Sequence, residues 1–399
     1  MCEQVQQNQS IELFCGTGGL ALGLQQSGFH HTALYEWDKD SCANINANIH
    51  AGFQGIETWH VQQKDVRTVH YDGLSGKICM VSGGPPCQPF SLGGKSHAYS
   101  DRRDMFPEAV RAVREVRPEV FIFENVKGLL RKSFSLYFNY IILQLTYPSI
   151  VRPTGMTWEK HLELLEQHHT SSRHSSCEYN VVFRLLNAAD YGVPQLRHRV
   201  VIVGFRSDID AKWSFPKPTY SKEALLYSKW ITGEYWERHG LAKPCETPLS
   251  NTTERMLRAC IESSDTKMQP WLTVRDALQG LPDPRSADAK AFDNHIFRAG
   301  AKSYPGHTGS LLDEPSKTIK AGVHGVPGGE NTLVMDTGEV RYYTVRESAR
   351  IQTFPDDYHF VASWTESMRQ IGNAVPVKLA RIVGSSVLTQ LEEVHHAKE

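Results

Sequence analysis

Residues 11–28 read IELFCGTGGLALGLQQSG, an apolar run followed by a glycine-rich turn and a segment with helical spacing. The run IELF is short and apolar on both faces, as in a strand of a parallel sheet covered by helices. The glycines of FCGTGG let the backbone approach a ligand at the carboxyl edge of such a sheet. The order of strand, turn and helix therefore predicts the first unit of an α/β fold.

The same alternation continues to about residue 205. The runs ALYEW, KICMVS, VFIFEN, VVFRLL and VVIVGF are predicted strands, and amphipathic segments separate them. After Phe205 the alternation of strands and helices ends, and the following segments are rich in Pro, Gly, Lys and Thr. This change predicts a second, smaller, irregular and mainly β domain. Capping residues predict short helices after Thr273 and Thr344, and Pro376 starts an amphipathic terminal helix.

Length and composition limit the possible classes of protein. The chain has 399 residues, of which 40% are hydrophobic and 22% charged, as in a globular protein with two domains. Its start, MCEQVQQNQS, lacks the blocks of a signal peptide, and no apolar run could cross a bilayer, so a cytoplasmic location is expected. The eight cysteines form no C-x-x-C pair, which predicts free thiols and no metal site.

Glu36 and Trp37 follow the second predicted strand and suggest a nucleoside ligand. Glu36 lies 20 residues after Gly16, an interval at which a carboxylate can bind ribose hydroxyls. Trp37 offers a flat face for adenine. Because the G-x-G-x-x-G spacing of dinucleotide enzymes is absent, the pattern favours a cofactor without a pyrophosphate. A tight structural turn is the alternative explanation of these glycines.

The segment VSGGPPCQPFS, residues 81–91, places Cys87 in a loop of glycines and prolines directly after a strand. Prolines fix φ, so the loop would hold the thiol rigidly at the carboxyl edge of the sheet, whereas most cysteines are small core residues. The polar segment SLGGKSHAYSDRRDMF follows, with Lys95, Arg102 and Arg103 as candidate phosphate contacts. It is predicted to be a mobile lid, and a solvated surface loop is the alternative.

Two further signals concern charged residues on strands. Glu124 ends the apolar run VFIF, where burial would raise its pKa toward use as a general acid, unless a structural partner neutralises its charge. In QLRHR, Gln195, Arg197 and Arg199 are two residues apart and would share one face of a strand. That face would bind an anion or a polar base edge, and exposed surface arginines are the alternative.

Taken together, these motifs resemble the bacterial DNA (cytosine-5) methyltransferases of restriction-modification systems. The ordered set is FCGTGG, EWD, KDV, GGPPCQPFS, ENV, QLRHR, RESARIQTFPDDY and QIGNAVPV, from near residue 11 to near residue 380. The resemblance implies a Rossmann-like S-adenosylmethionine-dependent methyltransferase fold. It also implies a cofactor pocket lined by Phe14, Gly16, Gly18, Gly19, Glu36, Trp37, Asp65, Val66, Pro86, Met105, Asn373 and Val375. An extra segment over residues 133–177 has no assigned role.

The resemblance also implies the chemistry. The Cys87 thiolate would add to C6 of a flipped-out cytosine, Glu124 would act at N3, and Arg197 and Arg199 would hold O2 and a nearby phosphate. Residues 1–205 and 365–399 would form the catalytic and cofactor-binding domain, and residues 206–364 the target-recognition domain. The candidate DNA contacts are Gln88, Ser91, Lys95, Arg102, Lys317 and Lys320.

The expected partner is double-stranded DNA, and the chain is expected to be a monomer that shares its site with a cognate restriction endonuclease. An RNA cytosine-5 methyltransferase is the main alternative, although the CFT tripeptide of the closest such relatives is absent. A nicotinamide-binding enzyme would need the missing glycine spacing. A catalytically inactive DNA-binding module would be expected to have lost Cys87 or Glu124, and both are present.

Overall fold

A seven-stranded sheet organises the larger part of the computed structural model, which describes residues 8–86, 104–171, 175–244, 255, 268–303, 308–321 and 331–397. The strand order is β3-β2-β1-β4-β5-β7-β6. The strands are β1 (Gln9–Leu13), β2 (His30–Glu36), β3 (Val61–Gln63), β4 (Met80–Gly83), β5 (Val120–Val126), β6 (Tyr179–Asn187) and β7 (His198–Arg206).

Parallel pairing joins the five strands from β3 to β5, and β7 runs antiparallel to β5. Every residue of β4 and the first six residues of β5 are buried, so both faces of the sheet are covered. The register aligns Tyr35, Leu13, Gly83 and Phe123 in one row across β2, β1, β4 and β5. The residues that follow this row therefore share one edge of the sheet, and β5 continues beyond the row to Val126.

Helices follow the strands of this sheet. They are α1 (Gly19–Gln26), α2 (Lys39–His50), α3 (Phe106–Val116), α4 (Ser135–Thr146) and α5 (Trp158–Thr170). The extra segment noted in the sequence supplies α4 and α5, whose inner residues, such as Tyr140, Ile141, Trp158 and Leu162, join the main hydrophobic core. This segment thus contributes to the core of the domain.

Contacts divide the chain into two compact units. The first contains the residues up to Leu186, His198–Phe215 and the residues from Ala380 onward, and the second contains Asn187–Arg197 and Pro216–Leu379. Mostly short elements make up the second unit: β8 (Tyr220–Ser221), α6 (Lys222–Tyr227), α7 (Glu234–Arg238), β9 (Gln269–Pro270), α8 (Val274–Leu278), β10 (Ser310–Leu311), β11 (Thr332–Val334), β12 (Val340–Tyr342), α9 (Val345–Ile351) and α10 (Trp364–Asn373). The helix at the end of the chain, α11 (Val377–His396), is longer, with 20 residues.

The structure confirms the predicted α/β class and all six predicted strands. Thr273 and Thr344 each cap a helix through a complete capping box, as their spacing predicts. The described part of the second unit contains two small sheets together with several short helices, so its β character is accompanied by more helix than the sequence pattern suggested. Among the described residues, the helices are too short or too polar to span a bilayer.

Candidate active site at the carboxyl edge of the sheet

Three predicted site residues, together with Gly84 of the predicted nucleophile loop, follow the aligned row of strand residues. Phe14, Glu36, Gly84 and Glu124 come directly after the row that joins β1, β2, β4 and β5. The carboxyl ends of parallel strands are where α/β enzymes bind their ligands. The first unit therefore brings the glycine turn, the predicted nucleoside-binding residue Glu36 and the predicted catalytic residue Glu124 to one edge of the sheet.

The glycine turn departs from ordinary backbone geometry. Phe14, Gly16 and Gly18 have φ values of 56°, 53° and 85°. Gly18 precedes α1 in the left-handed conformation, and Gly19 is the first residue of that helix. A Cβ added at Gly16 would have no neighbouring atom within 4 Å. The turn thus needs glycine for its φ angles, and space remains open beside it.

Glu36 is buried and holds the turn to the end of β2. One carboxylate oxygen accepts a hydrogen bond from the backbone N–H of Gly16 at 2.9 Å. The other accepts from the N–H groups of Trp37 and Asp38, each at 2.9 Å. Burial raises the pKa of Glu36, and these three hydrogen bonds oppose that rise. The carboxylate therefore organises the loop on which the predicted nucleoside contacts lie.

Three further residues predicted to line the cofactor pocket, Trp37, Asp65 and Val66, differ in exposure. The Trp37 side chain is 74% exposed, an unusual environment for tryptophan, whereas Val66 is buried. Asp65 caps the short 3-10 helix Val66–Thr68 and accepts hydrogen bonds from the Arg67 side chain. That hydrogen bonding lowers the pKa of Asp65. An ionised carboxylate and a free aromatic face are thus both present.

Glu124 and Arg199 form a buried ion pair on β5 and β7. The antiparallel register places Glu124 opposite Val201 and Val126 opposite Arg199, so the two charged side chains are diagonal neighbours on one face. Arg199 Nε lies 2.5 Å from Glu124 Oε1, and both side chains are about one-tenth exposed. Burial lowers the pKa of Arg199, and the attraction of Glu124 opposes this. The Arg199 guanidinium stays charged, since free arginine titrates far above neutral pH.

Two backbone carbonyl groups directly before Cys87, those of Pro85 and Pro86, are held by hydrogen bonds. Asn125 Nδ2 donates to Pro85 O at 2.8 Å, and the N–H of Met105 donates to Pro86 O at 3.2 Å. Asp104 accepts a short hydrogen bond from Tyr137 on α4. Pro86 and Met105, both predicted to line the cofactor pocket, are therefore joined by a backbone hydrogen bond. Asn125 holds Pro85, the residue before Pro86.

Five predicted site residues, Cys87, Gln88, Ser91, Lys95 and Arg102, lie outside the described residues. Residues 91–103 of the predicted lid lie outside them as well. Their predicted roles remain predictions.

The structure corrects the prediction that Gln195, Arg197 and Arg199 share one strand face. Strand β7 begins at His198, so Gln195 and Arg197 precede it and belong to the second unit. Both side chains are fully buried, and the Arg197 guanidinium donates to backbone carbonyls of that unit. The alternation of side chains between the two faces of a strand does not apply to Gln195, because Gln195 is not part of a strand. It forms only an isolated β-bridge with Ser316, and β7 begins three residues later.

The second unit contains the remaining predicted positions. Asn373, at the end of α10, is exposed, whereas Val375 is buried. Lys320 is exposed, and its backbone N–H and C=O are both bound by the Asn331 side chain at 2.9 Å. Lys317 is half-buried, and its Nζ donates to Thr308. Asn331 therefore closes the two ends of the glycine-rich segment over residues 321–330.

Sequence reasoning missed three residues that shape these sites: Asn125, Gln352 and Asn331. Each uses a side-chain amide to bind the backbone of a distant segment. Asn125 and Gln352 lie within the ENV and RIQTF motifs, so the motifs include these positions. The sequence does not indicate which backbone carbonyl a side-chain amide will bind.

Comparison with known families decides the assignment. Residues 8–147 and 160–389 match the model of the family described as C-5 cytosine-specific DNA methylase. The chain belongs to this family. The enzyme is accordingly a DNA (cytosine-5) methyltransferase, and the RNA alternative is not favoured. The unmatched residues, 148–159, lie within the extra segment that carries α4 and α5.

Individual relatives agree with this assignment. The type II methyltransferase M.PspPI of Psychrobacter sp. (strain TA137) is 33% identical over 387 residues, covering 96% of this chain and 79% of that protein. The type II methyltransferase M.NgoMIV of Neisseria gonorrhoeae is 30% identical over 388 residues, covering 96% of this chain and 98% of that protein. The family's methyl donor, S-adenosylmethionine, is thereby implied for this methyltransferase.

Solved structures share the fold at lower identity. A putative DNA modification methyltransferase encoded within an E. coli prophage aligns with a TM-score of 0.56 and 19% identity, covering 96% of this chain and 99% of that one. The S. pombe Dnmt2 methyltransferase aligns with a TM-score of 0.55 and 16% identity, covering 97% and 99%. These similarities support the methyltransferase fold.

Proposed function

We propose that this methyltransferase transfers the methyl group of S-adenosylmethionine to C5 of a flipped-out cytosine in double-stranded DNA, through a covalent bond between Cys87 and C6. The observation that carries the proposal is the buried Glu124–Arg199 pair beside the anchored Gly84-Pro85-Pro86 segment. A Cβ at Gly84 would lie 3.5 Å from Glu124 Oε2, so this carboxylate adjoins the backbone that leads to Cys87.

The environment of the four cysteines within the described residues supports Cys87 as the nucleophile. Cys15, Cys42, Cys79 and Cys177 are all buried. Burial raises the pKa of each, to about 12 for Cys42. Since the thiolate is the reactive form, these four groups are poor nucleophiles at neutral pH. Cys87 follows a fixed strand end at the carboxyl edge, where a substrate base can approach.

Glu124 and Arg199 suit the electronic demand of attack at C6. As the S–C6 bond forms, the C5=C6 π pair moves into the ring, and negative charge builds toward N3 and O2. Glu124 in its protonated form would donate its proton to N3 as this charge builds, and Arg199 would stabilise the carboxylate left behind and the O2 side. The electron pair at C5 would take the methyl group as the methyl–sulfonium bond breaks, which leaves the cofactor as a neutral thioether. Solvent would then accept the C5 proton, the C–H electron pair would restore the C5=C6 double bond, and the Cys87 thiolate would leave.

The described residues also fit the cofactor. Trp37 offers an exposed face for adenine, the Glu36 and Asp65 carboxylates can accept hydrogen bonds from ribose hydroxyls or adenine, and the open space at Gly16 leaves room for backbone contact. S-Adenosylmethionine, when bound, supplies the electrophilic methyl group. The protein residues would hold and orient the nucleoside.

Residues 206–364 are proposed to recognise the DNA sequence. The segment around Lys317 and Lys320 combines cations with a glycine-rich stretch whose two ends are held by Asn331. Such cations suit phosphates, and each neutralised lysine is expected to lower the slope of log affinity against log salt by about 1. We further propose that the protein acts as a monomer in the cytoplasm of a bacterium, as the modification component of a type II restriction-modification system with a cognate endonuclease.

Sequencing of bisulfite-treated DNA tests this function. The enzyme is expressed in a host without cytosine-5 methyltransferases, beside a Cys87→Ala variant made at the same level. We expect nearly complete C5 methylation at one short recurring sequence, and none with Cys87→Ala. Bisulfite analysis of RNA from the same cells is the second arm. Methylated RNA with unmodified DNA would refute the proposal.

A further inference from the structure

Arg197 occupies an unusual place for a residue expected to meet the substrate. Its side chain is fully buried in the second unit. Nη2 donates to Gly372 O at 2.7 Å and to Ala374 O at 2.9 Å. Nη1 donates to Ile319 O at 3.1 Å. One guanidinium therefore holds two segments that are about fifty residues apart in the chain.

Two buried glutamines complete this arrangement. Gln195 Oε1 accepts from the N–H of Ile319 at 3.0 Å, and Gln195 Nε2 donates to Gln352 Oε1 at 3.0 Å. Gln352 Nε2 in turn donates to Ile371 O at 2.6 Å and Ala374 O at 3.0 Å. The Gln195–Arg197–Gln352 cluster is thus a connected set of hydrogen bonds, which is costly to break because its members are buried.

The two segments also touch directly. A Cβ at Gly372 would lie 2.5 Å from the backbone nitrogen of Ala321, closer than real contacts allow. Glycine at position 372 therefore permits the close approach of residues 319–321 to residues 371–374. Together with the cluster, this packing fixes a single spacing between the segments.

We infer that Arg197 is a positioning residue that couples the recognition and cofactor segments, and that it does not contact the cytosine. Residues 319–321 lead into the glycine-rich segment of the predicted recognition domain. Residues 371–375 carry Asn373 and Val375, for which the family resemblance implies cofactor contact. This inference rests on the proposed function. It replaces the role at O2 or phosphate expected for Arg197 from the sequence.

The two roles for Arg197 predict different kinetics. A contact to cytosine or phosphate acts in the chemical step or in DNA binding, and leaves cofactor affinity in the absence of DNA unchanged. If Arg197 is a positioning residue, its substitution alters the geometry of residues 371–375 before any DNA is present. Cofactor affinity measured without DNA is therefore the decisive quantity.

The test uses Arg197→Lys, which keeps the charge but loses the planar fork, and Gln352→Ala, which disturbs the same cluster from outside the QLRHR motif. Arg346→Lys is the matched control. Arg346 is also buried in the second unit and donates to three backbone carbonyls, those of Asp293, Pro355 and Tyr358. Each variant is titrated with S-adenosylmethionine by calorimetry without DNA, and its unfolding midpoint is recorded.

We expect Arg197→Lys and Gln352→Ala each to weaken cofactor binding by about tenfold, the scale of one charge-assisted hydrogen bond. Both should also methylate near-cognate DNA sites more readily relative to the cognate site. Single-turnover methylation at saturating cofactor and DNA should stay within about threefold of wild type, because Cys87 and Glu124 are intact.

Unchanged cofactor affinity with a large fall in the single-turnover rate would overturn the inference, because Arg197 would then act on the substrate. An equal loss of affinity in Arg346→Lys would also overturn it, since general destabilisation would explain the effect. A wild-type protein that binds cofactor but methylates no cytosine would contradict the proposed function instead, and cofactor binding by the variants would still be measurable.

Discussion

At the scale of single residues, the chemistry depends on a charge that is buried and paired. Arg199 offsets the cost of burying the Glu124 carboxylate, which is the form that would remain after Glu124 has given its proton to N3. Breaking such a pair leaves one uncompensated charge, and typically costs about 3–5 kcal/mol of stability. Variants at this position therefore need a control for folding.

Glu124→Gln is expected to lower the single-turnover methylation rate by on the order of a hundredfold, since an amide cannot supply a proton at N3. Cofactor binding should be retained, because Glu36 and Trp37 are untouched. The double variant Glu124→Gln/Arg199→Gln removes both charges and should recover stability without recovering activity. Wild-type activity in the folded single variant would exclude an acid role for Glu124.

A second buried carboxylate, Glu12 on β1, makes stability depend on pH. Its Oε2 accepts from Ser82 Oγ at 2.9 Å and lies 4.0 Å from His31 Nε2. Burial raises the pKa of Glu12 to about 8 and lowers the pKa of His31 to about 3. Burial therefore shifts the pKa values of these two neighbouring groups in opposite directions.

For Glu12 the folded state binds its proton more tightly than the unfolded state. The resulting stability is fully present below the unfolded pKa of 4.5 and is lost as the pH rises to about 8. Urea unfolding at pH 5 and pH 8.5 should show that Glu12→Gln gains stability relative to wild type at the higher pH, by a few kcal/mol. An equal difference between the two proteins at both pH values would contradict this.

At the scale of elements, the adjacent glycines after β4 have different requirements. A Cβ at Gly83 would lie 2.5 Å from the carbonyl oxygen of Leu13 on the neighbouring strand. A Cβ at Gly84 would make only an ordinary contact at 3.5 Å with Glu124. The first glycine is needed by the sheet, and the second by the site.

Gly83→Ala should accordingly lower the unfolding midpoint, because the strand must move to relieve the overlap. Gly84→Ala should leave that midpoint nearly unchanged while reducing the methylation rate, because its methyl group restricts the carboxylate. Thermal unfolding and single-turnover assays of both variants check the contrast. Equal destabilisation by the two substitutions would show that Gly84 is also needed for packing.

The sequence predicts elements better than contacts, for physical reasons visible at these positions. Apolar runs identify the six strands, and in β4, β5 and β7 burial on both faces explains the continuous hydrophobic signal. Strand β6 is apolar in sequence although most of its residues are exposed or half-buried. Strand β3 was missed, since its residues Val61–Gln63 are mostly polar and partly exposed. The face shared by Glu124 and Arg199 follows from antiparallel register, which no local pattern reveals.

At the scale of the whole molecule, the proposal divides catalysis from sequence recognition. An exchange of residues 216–344 for those of a related enzyme would retain Gln352 and the QLRHR motif. The methylated DNA sequence should change to that of the donor enzyme, while cofactor affinity without DNA stays similar. A folded chimera that still methylates the original sites would place recognition elsewhere in the chain.

Covalent catalysis by Cys87 can be tested by trapping its adduct with cytosine. The enzyme is incubated with S-adenosylmethionine and duplex DNA that carries 5-fluorocytosine, in which fluorine cannot leave as a proton. We predict a stable complex on a denaturing gel, formed only with cofactor, whose proteolytic digestion gives a DNA-linked peptide containing Cys87. An adduct on another residue, or methylated DNA with no adduct, would contradict the account.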